Sequence, residues 1–167
     1  MKNILIAILL FFSLTSNVFG QKIFKDDVYG FSMQKPRGWI EDTYSTKRLR
    51  IPIDTLSKKT VPLVSYFKFD ARTNPGKMVP IVQVTILDNP TKTFEQFTAS
   101  MAETAQTFDQ VFQDHELIKK PEIIEINGRK AIYFISSYIF KSITKNFKLR
   151  KRTYVIPKDN YLYQLNY

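Results

Sequence analysis

The 167-residue chain has no cysteine, a single histidine, and 25 basic against 15 acidic residues, for a formal net charge of +10. Without cysteine there is no thiolate zinc site, no cysteine nucleophile and no disulfide staple, and one histidine cannot pair with another on a metal. A charge of this size bears on solubility and partners rather than on fold.

The first 20 residues read as an export signal. Lys2 supplies a positive start, Ile4 to Phe12 is an unbroken apolar run, and Val18-Phe19-Gly20 offers a small residue for cleavage after Gly20. The apolar run falls short of the roughly 20 residues needed to cross a bilayer. Without a cysteine near the cleavage point there is no bacterial lipid anchor, so the expectation is a secreted or periplasmic protein, not transmembrane once the signal is gone. Residues 21–167 remain as a single domain, beginning with a glutamine able to cyclise, and long enough to bury its own core.

Lys22 to Lys25 reads as a short edge strand before an Asp26-Asp27 turn, and Tyr29, Phe31 and Met33 fall on one side of a second strand that Pro36 and Gly38 stop. Trp39 is expected to close the core. From Glu41 to Thr60 the chain is polar and basic, a loop with one weak edge strand at Ile51-Pro52-Ile53, since Pro52 cannot donate to a central ladder. Pro62 to Asp70 alternates as a strand with one wet face, Ala71 to Val79 is rich in turn residues, and Ile81 to Leu87 is β-branched and extended. Thr93 and Gln96 have the spacing of a capping box, opening a helix to about Phe112. Its apolar stripe is Phe94, Phe97, Met101, Ala105, Phe108 and Phe112, and its polar face holds Glu95, Ser100, Glu103, Gln106 and Asp109.

The remainder, Glu122 to Tyr167, is the expected sheet core. Asn127-Gly128 predicts a type I′ hairpin between Ile123–Ile126 and Arg129–Phe140, and Pro157-Lys158-Asp159-Asn160 predicts a second turn ahead of Tyr161–Leu165. Both parities of the strand after Arg129 are apolar, which predicts a central strand with helix on one side and helix or loop on the other.

Few residues suit catalysis. His115 is expected to be solvated near the helix C-terminus; Asp26-Asp27 and Glu122-x-x-Glu125 are the nearest approach to paired carboxylates, and phosphate-cradling glycine loops are absent. The expectation is a protein that is not an enzyme, with no catalytic, cofactor or metal residues. One feature stands out: from Ile126 to Lys158 there are nine basic residues and no acid. Alternation puts Lys148, Arg150 and Arg152 on one strand face, with Lys151 opposite among Phe147, Leu149 and Val155. Together with Lys145 and Lys141 they form the candidate surface for an anionic partner, with Phe147 and Tyr154 able to add stacking. Lysines on an edge strand also discourage unwanted pairing, and that reading stands beside the first.

Taken in order, Tyr29-Gly30-Phe31-Ser32-Met33, Pro36-x-Gly38-Trp39, Thr93-Phe94-Glu95-Gln96-Phe97, Ile126 to Ala131 and Tyr161-Leu162-Tyr163-Gln164-Leu165 resemble the PsbP-like family, which has bacterial exported and nuclear Ran-binding relatives. The resemblance runs from about Phe24 to the end. It implies an α+β fold, a central antiparallel β-sheet with helices packed on its faces. It also implies a final C-terminal helix after the Tyr-x-Tyr strand, which is missing here, so the expectation is either truncation at Tyr167, the favoured reading, or a partner that covers the exposed sheet face. Family members in photosynthetic lumens are non-enzymatic accessory proteins and the nuclear ones bind a small GTPase; a signal peptide argues against the nucleus. The functional expectation is an exported binding or accessory protein of the bacterial envelope, its partner an envelope protein or an anionic surface, with nucleic acid not expected. The alternatives are a small-molecule or lipid carrier with a cleft between the sheet and the Phe94–Phe112 helix, and a polyanion binder working through the basic strand.

Overall fold

Near the start of the chain Asp26 makes the turn: its Oδ1 accepts from the Tyr29 N–H at 3.0 Å, joining β1 (Ile23–Asp26) to β2 (Phe31–Gln34) as an antiparallel hairpin. This hairpin belongs to a small N-terminal unit ending at Arg37; a second unit runs from Gly38 to Tyr167. The computed structural model describes residues 22–42, 61–141 and 145–167. The signal segment and the strand expected at Ile51–Ile53 lie outside the described residues.

In the larger unit β3 (Ile40–Glu41), β4 (Val61–Phe67) and β5 (Ile81–Asp88) form one meander. A short 3-10 turn, Ala71–Thr73, lies between β4 and β5 and is capped by Asp70, whose carboxylate also holds the Arg72 guanidinium. That contact keeps the Asp70 carboxyl below the usual carboxylate range. Helix α1 (Phe94–Val111) follows, and then a second meander of β6 (Gln113–Ile126), β7 (Arg129–Lys141), β8 (Asn146–Lys158) and β9 (Tyr161–Asn166). Pairing of β5 with β9 fuses the two into one seven-stranded sheet of order β3-β4-β5-β9-β8-β7-β6, antiparallel throughout.

Local chemistry explains the turns. Asn127 and Gly128 take positive φ angles of 50° and 76°, as a type I′ turn requires. The next hairpin turns on Asp159-Asn160 alone, and Pro157 remains inside β8 opposite Leu162. At the helix start the Thr93 Oγ1 accepts from the Gln96 N–H at 3.2 Å. The Gln96 carboxamide reaches back to the Lys92 N–H at 2.9 Å, one residue upstream of a standard capping box.

The stripe on α1 docks as its spacing predicts. Phe97 is buried in one cluster with Ile132, Phe134, Val155 and Leu162, and Phe94, Met101 and Phe108 pack against it with Leu87 and Leu117. At about 1.5–3 kcal/mol per buried large side chain, this cluster supplies much of what holds helix to sheet. The opposite sheet face is also buried at its middle, through Val64, Tyr66, Val84, Ile86, Ala131 and Ile135.

Several expectations are corrected. The protein is predominantly β, not α+β with helices packed on its faces: among the described residues there is one α-helix, on one side of the sheet. The chain goes into strand length instead, since residues 113–121, assigned to no element from sequence, extend β6 to 14 residues beside the 13-residue β7 and β8. β7 is buried on both faces but is not central; it lies next to the edge strand β6, and β9 occupies the middle. β4 has no wet face, because Leu63, Val64, Ser65 and Tyr66 are all buried.

Candidate functional site

The register of β7 with β8 decides where the cations go. Ile139 faces Lys148, Ser137 faces Arg150 and Ile135 faces Arg152, so these three basic residues share the face away from α1, as alternation predicts. Lys141, opposite Asn146, falls on the same face by register. Lys145 precedes β8 and places its ammonium 4.7 Å from the Phe147 ring centroid. Phe147 therefore stands on the helix-bearing face and is not interleaved with the basic residues. Tyr154 is on the basic face, but its ring stacks on Tyr133 at 4.6 Å, and Lys119 sits 5.1 Å over Tyr133. Burial first, then the neighbouring Tyr133, pushes the Tyr154 phenol up. Arg152 lies 5.6 Å over the Tyr167 ring, which in turn meets Trp39 at 6.1 Å. Trp39 is half-buried with the Lys68 ammonium 5.6 Å from its centroid, so it borders the core rather than closing it.

The acids near this face belong to β6. Glu122 is paired with Lys119, and Glu116 lies in the same cross-strand row as Ser137 and Arg150. The Ser137 hydroxyl between them is buried and has no hydrogen-bond partner among the described residues.

On the other side of β8 the structure brings together residues that the sequence analysis left apart. A cleft of about 530 Å³ opens between the segment entering β5 and the first half of β8, lined among others by Met78, Pro80, Ile81, Gln83, Tyr138, Leu149, Lys151 and Asn166, with Arg150, Arg152 and Tyr167 also at its border. Lys151 sits opposite buried Ser136 and is half-buried, and among the described residues no carboxylate lies within ion-pair distance of it. Burial lowers its ammonium from the usual lysine value. The sequence carried a signal for this residue: a lysine at an apolar-parity position of a strand must either escape to solvent or help to line a cavity.

Asn166 is oriented by its neighbours. Its Oδ1 accepts from Thr153 Oγ1 at 3.1 Å and from Gln164 Nε2 at 3.2 Å, which leaves the amide N–H groups as its unused polar atoms. Gln83 spends its Nε2 on Ser65 Oγ at 3.1 Å. Tyr138 walls the cleft on the helix side, its ring 4.5 Å from Phe112. A carrier's cleft was expected under the helix; that interface is filled by the Phe97 cluster, and the cleft opens beside it on the same sheet face.

The other candidates are not assembled into sites. Asp26 is used on the Tyr29 N–H and Asp27 pairs with Lys25. Glu122 faces Tyr133 while Glu125 pairs with Lys130 one strand position from the turn, so the two acids do not converge. His115 lies on β6 close to the helix C-terminus, as expected, with its ring 5.4 Å from Phe108 and 6.3 Å from Phe112, but it is partly buried there rather than solvated. Among the described residues no group of three or more His, Asp or Glu side chains is placed to hold a metal ion, and no helix is long and apolar enough to cross a membrane. No family model, curated protein or solved structure matches the chain.

Proposed function

We propose that this is an exported, non-enzymatic accessory protein of the bacterial envelope that binds an anionic partner surface through the basic face of β8. The observation that carries the reading is the common face of Lys141, Lys148, Arg150 and Arg152, with only Ile135, Ser137 and Ile139 across from the last three. Cations two residues apart on one strand repeat at about 6.6–6.8 Å, so an extended or planar anionic surface can meet several at once. The signal-like first 20 residues support export, and the PsbP-like resemblance supports an accessory role rather than a chemistry. Cations guarding a sheet edge would also be basic, and over residues 146–151 β8 is paired with β7 alone, so edge guarding is the competing account, which charge reversal separates from partner binding.

The test is crosslinking and pull-down from an envelope extract with the wild-type protein and with K148E/R150E/R152E. Loss of the captured partner in the triple variant, and salt-sensitive binding to polyglutamate, are the expected outcomes. Equal capture by both proteins, or turnover of a substrate by the purified chain, sinks the proposal. Binding duplex DNA with log affinity falling by about 0.9 per phosphate against log salt would point to nucleic acid instead. Amino-terminal sequencing of the exported product checks the localisation, which predicts a start at Gln21.

A further inference from the structure

We propose that the cleft beside Lys151 is a binding site for a small organic monocarboxylate with an apolar body. It borders the basic surface, with Arg150 and Arg152 among its lining residues, but it is centred on Lys151 on the opposite face of β8, so the two proposals are tested with different variants.

Three observations carry it. First, the cleft falls within the several hundred cubic ångströms typical of small-molecule sites, and most of its named walls are apolar: Met78, Pro80, Ile81, Leu149 and the Tyr138 ring. Second, its polar atoms are chiefly donors. Lys151 offers three N–H groups with no carboxylate among the described residues to take them, and Asn166, its diagonal neighbour across β8 and β9, has its oxygen occupied by Thr153 and Gln164 and its amide N–H groups left over. Third, strand alternation makes Lys151 the cation on the sheet face that carries Leu149, Tyr138 and Asn166; Arg150 and Arg152 also line the cleft but alternate to the other face, with Arg152 over Tyr167, so the charge set among the apolar walls is that of Lys151. A half-buried ammonium without a counterion is costly, and an incoming carboxylate removes that cost while its body covers the apolar walls. Gln83 Oε1 is an acceptor beside them, since its Nε2 is spent on Ser65.

Inorganic phosphate supplies charge without a body, and an alcohol of the same chain supplies a body without charge, so both serve as controls. The experiment titrates the full mature chain with dodecanoate below its micelle concentration, with dodecanol and with inorganic phosphate. Trp39, the only tryptophan, reports because it rests on the cleft-lining Tyr167. Dodecanoate is expected to bind more tightly than either control. K151M should weaken it at least about tenfold, as loss of a charge-assisted hydrogen bond does. N166D should also weaken it: the carboxylate can still accept from Thr153 and Gln164, but it replaces two donors with a like charge. K151R, which keeps the cation, should retain most of the affinity, and K141E/K148E, at two positions of the basic face that do not line the cleft, should leave it unchanged. Dodecanoate binding K151M as tightly as wild type, dodecanol binding as tightly as dodecanoate, or phosphate competing at equal concentration would each overturn the assignment, as would the absence of dodecanoate binding.

Discussion

The two ends of β8 are built from the same strand and the same neighbours, and they behave differently. Toward its C-terminal end Val155 is buried under α1 with Ile132, and Lys158 on the other face has aromatic company. Its Nζ donates to Tyr163 Oη at 3.3 Å and lies 5.5 Å over the Tyr161 ring, and the hydrogen bond with Tyr161 leads the effects that raise its ammonium. Toward the N-terminal end the helix no longer covers the strand. Lys151 there is half-buried with no carboxylate in ion-pair distance among the described residues, and its ammonium is lowered, while Arg150 and Lys148 are exposed. One strand thus serves stability at one end and keeps cations in reserve at the other. A lysine is a structural residue or a binding residue according to what its neighbours leave unsatisfied.

The largest expected effect is at the covered end. Phe97→Ala should cost about 3–5 kcal/mol, because Phe97 is 1% exposed in the centre of the helix–sheet cluster, whereas Leu149→Ala at the cleft should cost far less. Urea denaturation of both variants checks this, and equal losses would break the contrast. Next is Thr93→Ala, which removes the helix cap and should cost about 1 kcal/mol in the same assay. Ser137→Ala, on the basic face, should be neutral or stabilising by up to about 1 kcal/mol, since it deletes a buried hydroxyl that has nothing to bond among the described residues. A clear loss there would mean that Ser137 has a partner.

The smallest effect is the most specific to the comparison. Because the folded-state value of Lys151 lies below its unfolded one, the folded protein carries the full cost of burying the ammonium at any pH below that lowered value. Between the lowered value and 10.5 the folded state gives up the proton first, so stability rises with pH; above 10.5 the penalty is gone. Lys151→Met should therefore be slightly more stable than wild type at neutral pH, and the gap should close at alkaline pH. Paired urea curves at the two pH values test this, and a variant less stable at neutral pH would show that Lys151 has a counter-charge.

Features set by neighbouring residues were legible in the sequence. Asn127-Gly128, the Thr93 cap, the Phe94–Phe112 stripe and the alternation of Lys148, Arg150 and Arg152 all depend on residues within a few positions of one another, and all are found. What depends on distant pairing was not. Nothing local to Ile81–Asp88 or Tyr161–Asn166 says that they pair, so the order of the sheet, the central place of β9 and the burial of both faces of β4 were missed. The two-sided apolar pattern in β7 reported burial correctly, but the place of the strand in the sheet was misread from it, because period two says neither where a strand lies nor what covers it. The cleft was out of reach for the same reason: Gln83, Lys151 and Asn166 come from three strands and meet only through β5–β9–β8 pairing.

That pairing also bears on how the chain comes to be folded. β9, the last strand to leave the ribosome among those described, sits in the middle of the sheet, with Gln83 bonded across to Asn166 and Asp88 to Tyr161. The earlier meander can form hairpins on its own, but its inner edge stays open until residues 161–166 arrive from the far side of α1, β6, β7 and β8. Contacts of such high sequence separation slow folding toward milliseconds to seconds. A nascent chain arranged in this way stays unfinished until residues 161–166 have been made, which is the condition that the proposed export, by passage in an extended state, would require.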